Sequence, residues 1–299
     1  MIRHVLDIED LSVDELSAVL DLSEQTTWPR PLVGKGVALV FEKPSARTRN
    51  ATEMAVAQLG GYPLTMRGDE VGFDVRESVE DIGRTLSCYH SAIAARVFRH
   101  EVVQRLAYAS SVPVINLLSD RSHPMQALAD LLTMRQELGP LEGRTLAYVG
   151  DANNVCRSLL LGATMLGMKT RVASPVGYGL DPVDVDRLRI VGAEPALTTR
   201  PIEAVGGADV VYTDVWVSMG QEDERETRLR QFEGFGIDDK LMTHAANDAI
   251  FLHCLPAKRG YEVFDDVLDG PQSRVWQQAA NRMHTARGLL LWLFNEADQ

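Results

Sequence analysis

Thr145-Leu146-Ala147-Tyr148-Val149-Gly150-Asp151-Ala152-Asn153-Asn154 is the stretch that decides the fold. Its first five residues form a short, mostly apolar run of strand length, as a strand covered on both faces requires. Gly150–Asn154 turns the chain, a helix is expected over about Val155–Leu166, and Thr170–Ala173 reads as the next strand. Strand, helix and strand within about 30 residues make a βαβ unit, whose two strands lie parallel.

The alternation continues in both directions. Downstream, Val210–Thr213 and Ile250–His253 read as strands, and Gln277–Phe294 as a final amphipathic helix. Upstream, Ser12-Val13-Asp14-Glu15 is a capping box that opens a helix running to about Ser23. Val37–Phe41, Tyr62–Met66, Ala92–Val97 and Val112–Leu117 read as strands. Helical spacing joins Ala51, Met54, Ala55 and Leu59, and helices are expected over Ser78–Tyr89 and Pro124–Leu138. The charged, glycine-containing Arg67–Arg76 segment reads as a mobile loop. Gly139-Pro140 closes a helix just before the pattern restarts, so the domain boundary is expected there, with residues 1–139 before it. The fold class is α/β, in two domains, each a mainly parallel sheet flanked by helices. At roughly 100–200 residues per domain, 299 residues agree with two.

Composition narrows the function. Acidic residues outnumber basic ones by 42 to 30, a net charge of −12, so nucleic acid and anionic membranes are not expected partners. Any bound anion must be held by local positive potential. Cys88, Cys156 and Cys254 are odd in number, far apart and in no CxxC pair, which points to a reducing compartment and away from disulfides or a cysteine zinc site. The start, MIRHVLDIEDLS, has no apolar run of signal-peptide length, and a soluble, cytoplasmic protein is expected.

Four constellations could carry chemistry. In Phe41-Glu42-Lys43-Pro44-Ser45-Ala46-Arg47-Thr48-Arg49 a strand leads to a helix start rich in hydroxyls and arginines. Free N–H groups and the helix dipole favour an anion there, and an arginine fork matches phosphate. The segment reads equally well as a helix cap with solvated arginines. His123-Pro124-Met125-Gln126 places proline at the first helical position and His123 at the N-cap, so both polar ends can face one small ligand. Alone, it reads more readily as a structural helix start. Asp214-Val215-Trp216-Val217-Ser218-Met219-Gly220 follows a strand, where ligands of open α/β sheets bind, although an ordinary polar turn would look the same. In His253-Cys254-Leu255-Pro256, neighbours on an extended strand point to opposite faces, so His253 is not placed to activate Cys254, and a packed thiol is the plain alternative. The Gly150–Asn154 turn lacks GxGxxG, which argues against a dinucleotide.

Together and in this order, Ser45–Arg49, His123–Gln126, Asp214–Gly220 and His253–Pro256 resemble the S-x-R-T-R, H-P-x-Q, D-x-W-x-S-M-G and H-C-L-P patterns of the transcarbamylase family. The likeness runs from about residue 30 to the last helix, and the D-x-W-x-S-M-G element is that of its ornithine-using branch. The resemblance implies transfer of a carbamoyl group from carbamoyl phosphate to the side-chain amine of L-ornithine, in arginine synthesis, with no metal and no organic cofactor. It implies that Ser45, Ala46 through its N–H, Arg47 and Thr48 cradle the phosphate. Arg96 would reach phosphate and carbonyl oxygen, and His123 the carbonyl oxygen. Gln126 and the backbone carbonyls near Cys254 and Leu255 would fix the carbamoyl NH2, with Arg282 a further contact. Asn154, Asp214, Ser218 and Met219 would bind ornithine, and Asp214 and Cys254 would orient its amine.

The family fold implies a last helix, 275–299, packing back on the first domain, which leaves 140–274 to bind ornithine. It also implies an active site between domains in a homotrimer, with a loop of the neighbouring subunit, here Arg67–Glu77, reaching the phosphate. Three positions depart from the pattern: Ala46 in the phosphate motif, Glu70 where glutamine or histidine is common, and Ala280 where a glutamate often precedes the Asn-Arg pair. The rival readings are a transcarbamylase for putrescine or an acylated ornithine, and a non-catalytic binding protein on the same fold.

Overall fold

The computed structural model describes residues 2–218 and 220–295, which divide into two compact units between Leu132 and Thr133 and again between Ala279 and Ala280. The first division lies seven residues before Gly139-Pro140, inside a helix, because that helix contributes residues to both units.

The first unit runs α1 (Val13–Glu24), β1 (Gly36–Phe41), α2 (Ala46–Gln58), β2 (Tyr62–Arg67), α3 (Gly68–Val71), α4 (Val79–Tyr89), β3 (Ala92–Arg96), α5 (His100–Ala109), β4 (Val114–Leu118) and the start of α6 (Pro124–Leu138). Its strands are all parallel, in the order β2-β1-β3-β4. β1 and β3 are central and buried almost throughout, which is why their sequences are unbroken apolar runs. Val79, Ile82 and Leu86 of α4 and Val102, Val103 and Leu106 of α5 cover one face, each buried side chain contributing about 1.5–3 kcal/mol.

The second unit continues through β5 (Thr145–Val149), α7 (Asn154–Met165), β6 (Lys169–Ala173), α8 (Pro182–Val191), β7 (Ala196–Thr198), α9 (Pro201–Val205), β8 (Val210–Thr213), α10 (Arg225–Gln231), α11 (Asp239–Met242), β9 (Ile250–His253) and α12 (Asp265–Leu268). The parallel order is β7-β6-β5-β8-β9. Ala147, Val149, Val211 and Phe251 pack with Trp216, Phe232 and Phe235 in its core.

The last helix, α13 (Val275–Asn295), returns to the first unit from Ala280 onward. Gly288 is required there: a Cβ would lie 2.1 Å from Ser23 Oγ of α1. Arg287 is fully buried beside it, donates to the Ser23 and Gln25 carbonyls at 3.0 and 3.2 Å, and lies 3.7 Å from the Trp28 ring centroid. It satisfies carbonyls that the end of α1 leaves open.

One expectation needs correction. Arg67–Arg76 is folded rather than a plain loop. Glu70 accepts the Arg67 N–H at 2.9 Å and caps α3, Phe73 is buried in the unit's core, and Arg105 grips Asp74 at 2.6 and 2.9 Å. Local carboxylates thus satisfy charges that the sequence alone suggests are solvated.

Candidate active site

In each unit the crossovers reverse direction beside the first strand, between β1 and β3 in one and between β5 and β8 in the other. Ligands of open α/β sheets bind outside the carboxyl ends of strands at such points, because the loops there diverge and leave a crevice. Ser45–Thr48 and Arg96 fall at the first of these places and Asn154, Asp214 and Ser218 at the second, whereas His123 follows β4, Cys254 follows β9 and Arg282 lies on α13.

At the end of β1, Ser45 caps α2 and accepts the Thr48 N–H at 3.3 Å. The N–H groups of Ala46 and Arg47, in the first turn, have no intrahelical acceptor and face an anion's natural position. Arg47 is exposed and Thr48 buried. Arg282 of α13 donates to Thr48 Oγ1 at 3.1 Å and to Gln126 Oε1. Gln126 in turn donates to the buried Asp130 at 2.7 Å. Thr48, Gln126 and Arg282, 234 positions apart at the extremes, therefore form one chain of hydrogen bonds. Because Thr48 accepts from Arg282, its own proton is left to donate. Gln126 Oε1 keeps one lone pair.

Buried Arg96 ends β3 and buried His123 precedes α6, where its carbonyl accepts the Gln126 and Ala127 N–H groups. Burial, followed by the charges of Arg282 and Arg96, holds the His123 pKa well below the ordinary value. At neutral pH its ring is uncharged and offers one N–H. Lys43, missing from the expected set, also joins this group. Its ammonium lies 4.7 Å from the Phe98 ring centroid, and burial with the nearby Arg96 lowers its pKa. Cations concentrate here despite a net charge of −12.

In the second unit Asp214 follows β8 and is 5% exposed. Its Oδ1 accepts from Cys254 Sγ at 2.9 Å and from the Val215 N–H at 2.8 Å; its Oδ2 accepts from Asn153 at 2.8 Å. Asn153 was absent from the sequence expectation, which named only Asn154. Its place in the turn before a helix was the available signal: Asn153 is the N-cap of α7. Gly150, at φ 138°, lets that turn approach Thr213, whose Oγ1 would lie 3.3 Å from an added Cβ. Asn154 is half-buried and begins α7; Ser218 is half-buried, with its N–H on Gln221 Oε1 at 3.0 Å. Met219 lies outside the described residues.

Arg228 of α10 was also unforeseen. Its buried guanidinium donates to Asp151 at 2.8 Å, to the Trp216 carbonyl at 3.1 Å and to Glu224 at 2.9 Å, and lies 4.9 Å from the Tyr178 ring centroid. It binds the Gly150–Asn154 turn to the segment that carries Asp214 and Ser218.

His253 faces elsewhere. Its Nδ1 accepts the Leu255 N–H at 2.9 Å, and its Nε2 lies 3.4 Å from the buried Glu262. Leu255 sits at φ 59°, an uncommon conformation for such a residue, held by that hydrogen bond. Asp214, His253 and Cys254 each place a potential metal-ligand atom within 4.8 Å of the others. The Nδ1 lone pair is already used, so this trio fits hydrogen bonding better than chelation.

Residues 3–136 match the carbamoyl-P binding domain of the aspartate/ornithine carbamoyltransferases, and residues 142–293 match their Asp/Orn binding domain. The ornithine carbamoyltransferase of Acidothermus cellulolyticus is 49% identical, over 99% of this chain and 98% of its own. The crystal structure of ornithine carbamoyltransferase from Thermus thermophilus superposes with a TM-score of 0.90 at 45% identity, covering 98% of this chain and 99% of that one. The anabolic ornithine carbamoyltransferase of Campylobacter jejuni gives 0.93 at 36% identity, over 99% and 100% of the two chains. Matched along nearly its whole length in sequence and in fold, the chain belongs to the aspartate/ornithine carbamoyltransferase family.

Proposed function

We propose that the protein is an ornithine carbamoyltransferase, which makes L-citrulline and phosphate from carbamoyl phosphate and L-ornithine for arginine biosynthesis. The observation that carries this reading is Asp214, a buried carboxylate fixed by Asn153 and Cys254 within the D-x-W-x-S-M-G segment, where an ammonium or amine can be held. The first unit supplies the anion's half. Ser45, the Ala46 N–H, Arg47, Arg96 and Arg282 take the phosphate. Gln126, with the backbone at Cys254 and Leu255, takes the carbamoyl NH2.

The ornithine side-chain nitrogen attacks the carbonyl carbon, the carbon–oxygen bond to phosphorus breaks, and the surplus amine proton leaves to phosphate or solvent. Charge builds on the carbonyl oxygen during attack. Thr48, Arg96 and neutral His123 donate to it, and each such donor accelerates a reaction by about 10²–10³. An amine with a pKa of about 10.4 is neutral in only roughly one molecule in 10³ at pH 7, so the site must select the free base. Asp214 and Cys254 orient it, while Asn154 and Ser218 hold the amino-acid end.

The working assembly is a cytoplasmic homotrimer, in which the Arg67–Glu77 segment of one copy reaches the phosphate of the next. Arg76 is the residue for that contact. Glu70 is engaged as a cap, and Arg67 is locked on Asp69 by two bonds of 3.0 Å. Arg76 is exposed and donates to the Glu70 carbonyl through one nitrogen, leaving further donors. Incubation with carbamoyl phosphate and L-ornithine tests the reaction: citrulline and phosphate are expected in equal amounts, and phosphate release without citrulline would contradict the proposal.

A further inference from the structure

The second unit contains a cavity of about 630 Å³ lined by none of the residues assigned to substrate above. That volume lies within the range of about 300–1,000 Å³ common for small-molecule sites. Trp216 forms a buried part of its wall, Leu229 and Leu241 are half-buried, and exposed Arg230 and Lys240 stand at its edge. The Trp216 indole N–H is buried, so it is the apolar ring that Trp216 offers to the cavity. Neither Arg230 nor Lys240 is in an ion pair among the described residues, whereas Asp238, which also lines the cavity, is occupied in capping α11. Glu233 and Asp238 add two negative charges beside Arg230 and Lys240, which disfavours phosphates and other dianions.

We propose that this cavity is an effector site for a small apolar monocarboxylate, whose aromatic or branched body packs on Trp216, Leu229 and Leu241 while its carboxylate meets Arg230 or Lys240. The site is joined to the ornithine half by two short links. Trp216 is two residues from Asp214, its carbonyl accepts from Arg228 at 3.1 Å, and its ring stacks on Phe232 at 5.5 Å. Leu229 and Arg230 directly follow Arg228, which holds Asp151 at 2.8 Å. A ligand pressing on Trp216 or α10 therefore acts on the segment that bears Asp214.

Calorimetric titration of the full-length protein with 3-phenylpropionate tests the site without reference to the reaction. The probe carries no amine for Asp214. Saturable binding with Kd of about 1 mM or tighter is expected, at least about tenfold weaker in Leu241→Trp and Ile202→Trp, which fill the cavity, and in the double variant Arg230→Ala with Lys240→Ala. Ile202 is 43% exposed, so its replacement tests the site even if Leu241→Trp fails to fold. No saturable binding, undiminished binding in both filled variants, or displacement of the probe by ornithine alone would overturn the site. The coupling rests on the proposed reaction and is read separately. At saturating probe the KM for ornithine is expected to change at least about twofold with the KM for carbamoyl phosphate unaltered, and an unchanged ornithine KM would overturn it.

Discussion

At the scale of residues, the argument turns on protonation and on hydrogen-bond direction. Cys254 donates to Asp214, and its neighbour His253 is engaged by Leu255 and Glu262, so His253 does not deprotonate the thiol, and the thiol acts as a donor that fixes the carboxylate. Cys254→Ser should therefore retain measurable citrulline formation, because a hydroxyl can make the same donation. A carbamoyl thioester trapped on Cys254 would contradict that role. His123 gives a second test. Its folded pKa lies well below its unfolded one because burial, then Arg282 and Arg96, disfavour its charged form. The unfolded chain thus binds a proton that the folded chain refuses as pH falls below about 6.5, and stability drops by up to about 1.4 kcal/mol per pH unit until the folded pKa is reached. Denaturant midpoints of the wild type should fall more steeply from pH 7.5 to 5 than those of His123→Gln; parallel slopes would refute the assignment.

At the scale of elements, the central strands were the most legible part of the sequence. β5, β8 and β9 match the expected spans, since a short apolar run between turn residues has few other ways to be buried. Helix starts were legible where a capping residue marks them: α2 begins at Ala46, in the hydroxyl- and arginine-rich segment read as a helix start, because Ser45 caps it. α5 and α8–α12 were not anticipated, and β7 is a three-residue edge strand with little apolar content. Among site residues, those embedded in contiguous motifs could be read directly. Asn153, Asp130 and Arg228 could not, because their roles arise from partners distant in sequence or from a helix turn with no motif of its own. Arg228 carries the element-scale prediction. Arg228→Gln leaves Asp151 buried without its cation and frees the Trp216 carbonyl. The KM for ornithine should rise about tenfold or more, while that for carbamoyl phosphate changes less than about twofold. Equal changes in both would mark Arg228 as a general stabiliser only.

At the scale of the whole molecule, the chain divides its chemistry between two parallel-sheet units. At the point where its strand order reverses, the first gathers cations and hydrogen-bond donors, and the second holds a buried carboxylate; the proposed reaction needs the one for its anion and the other for its amine. Among the described residues no helix is long and apolar enough to cross a membrane. If neighbouring copies complete the phosphate site through Arg76, then Arg76→Ala should raise the KM for carbamoyl phosphate about tenfold and leave ornithine affinity nearly unchanged, as loss of one charged contact would. An unaltered KM would remove the residue from that role. The most direct test of the account is amine preference, measured as product formed from carbamoyl phosphate with L-ornithine, putrescine, N-acetylornithine and aspartate in parallel. The account predicts that kcat/KM for ornithine exceeds each of the others by at least about 10². Equal or better turnover of any other amine would contradict the reading of Asp214 and its segment as an ornithine site.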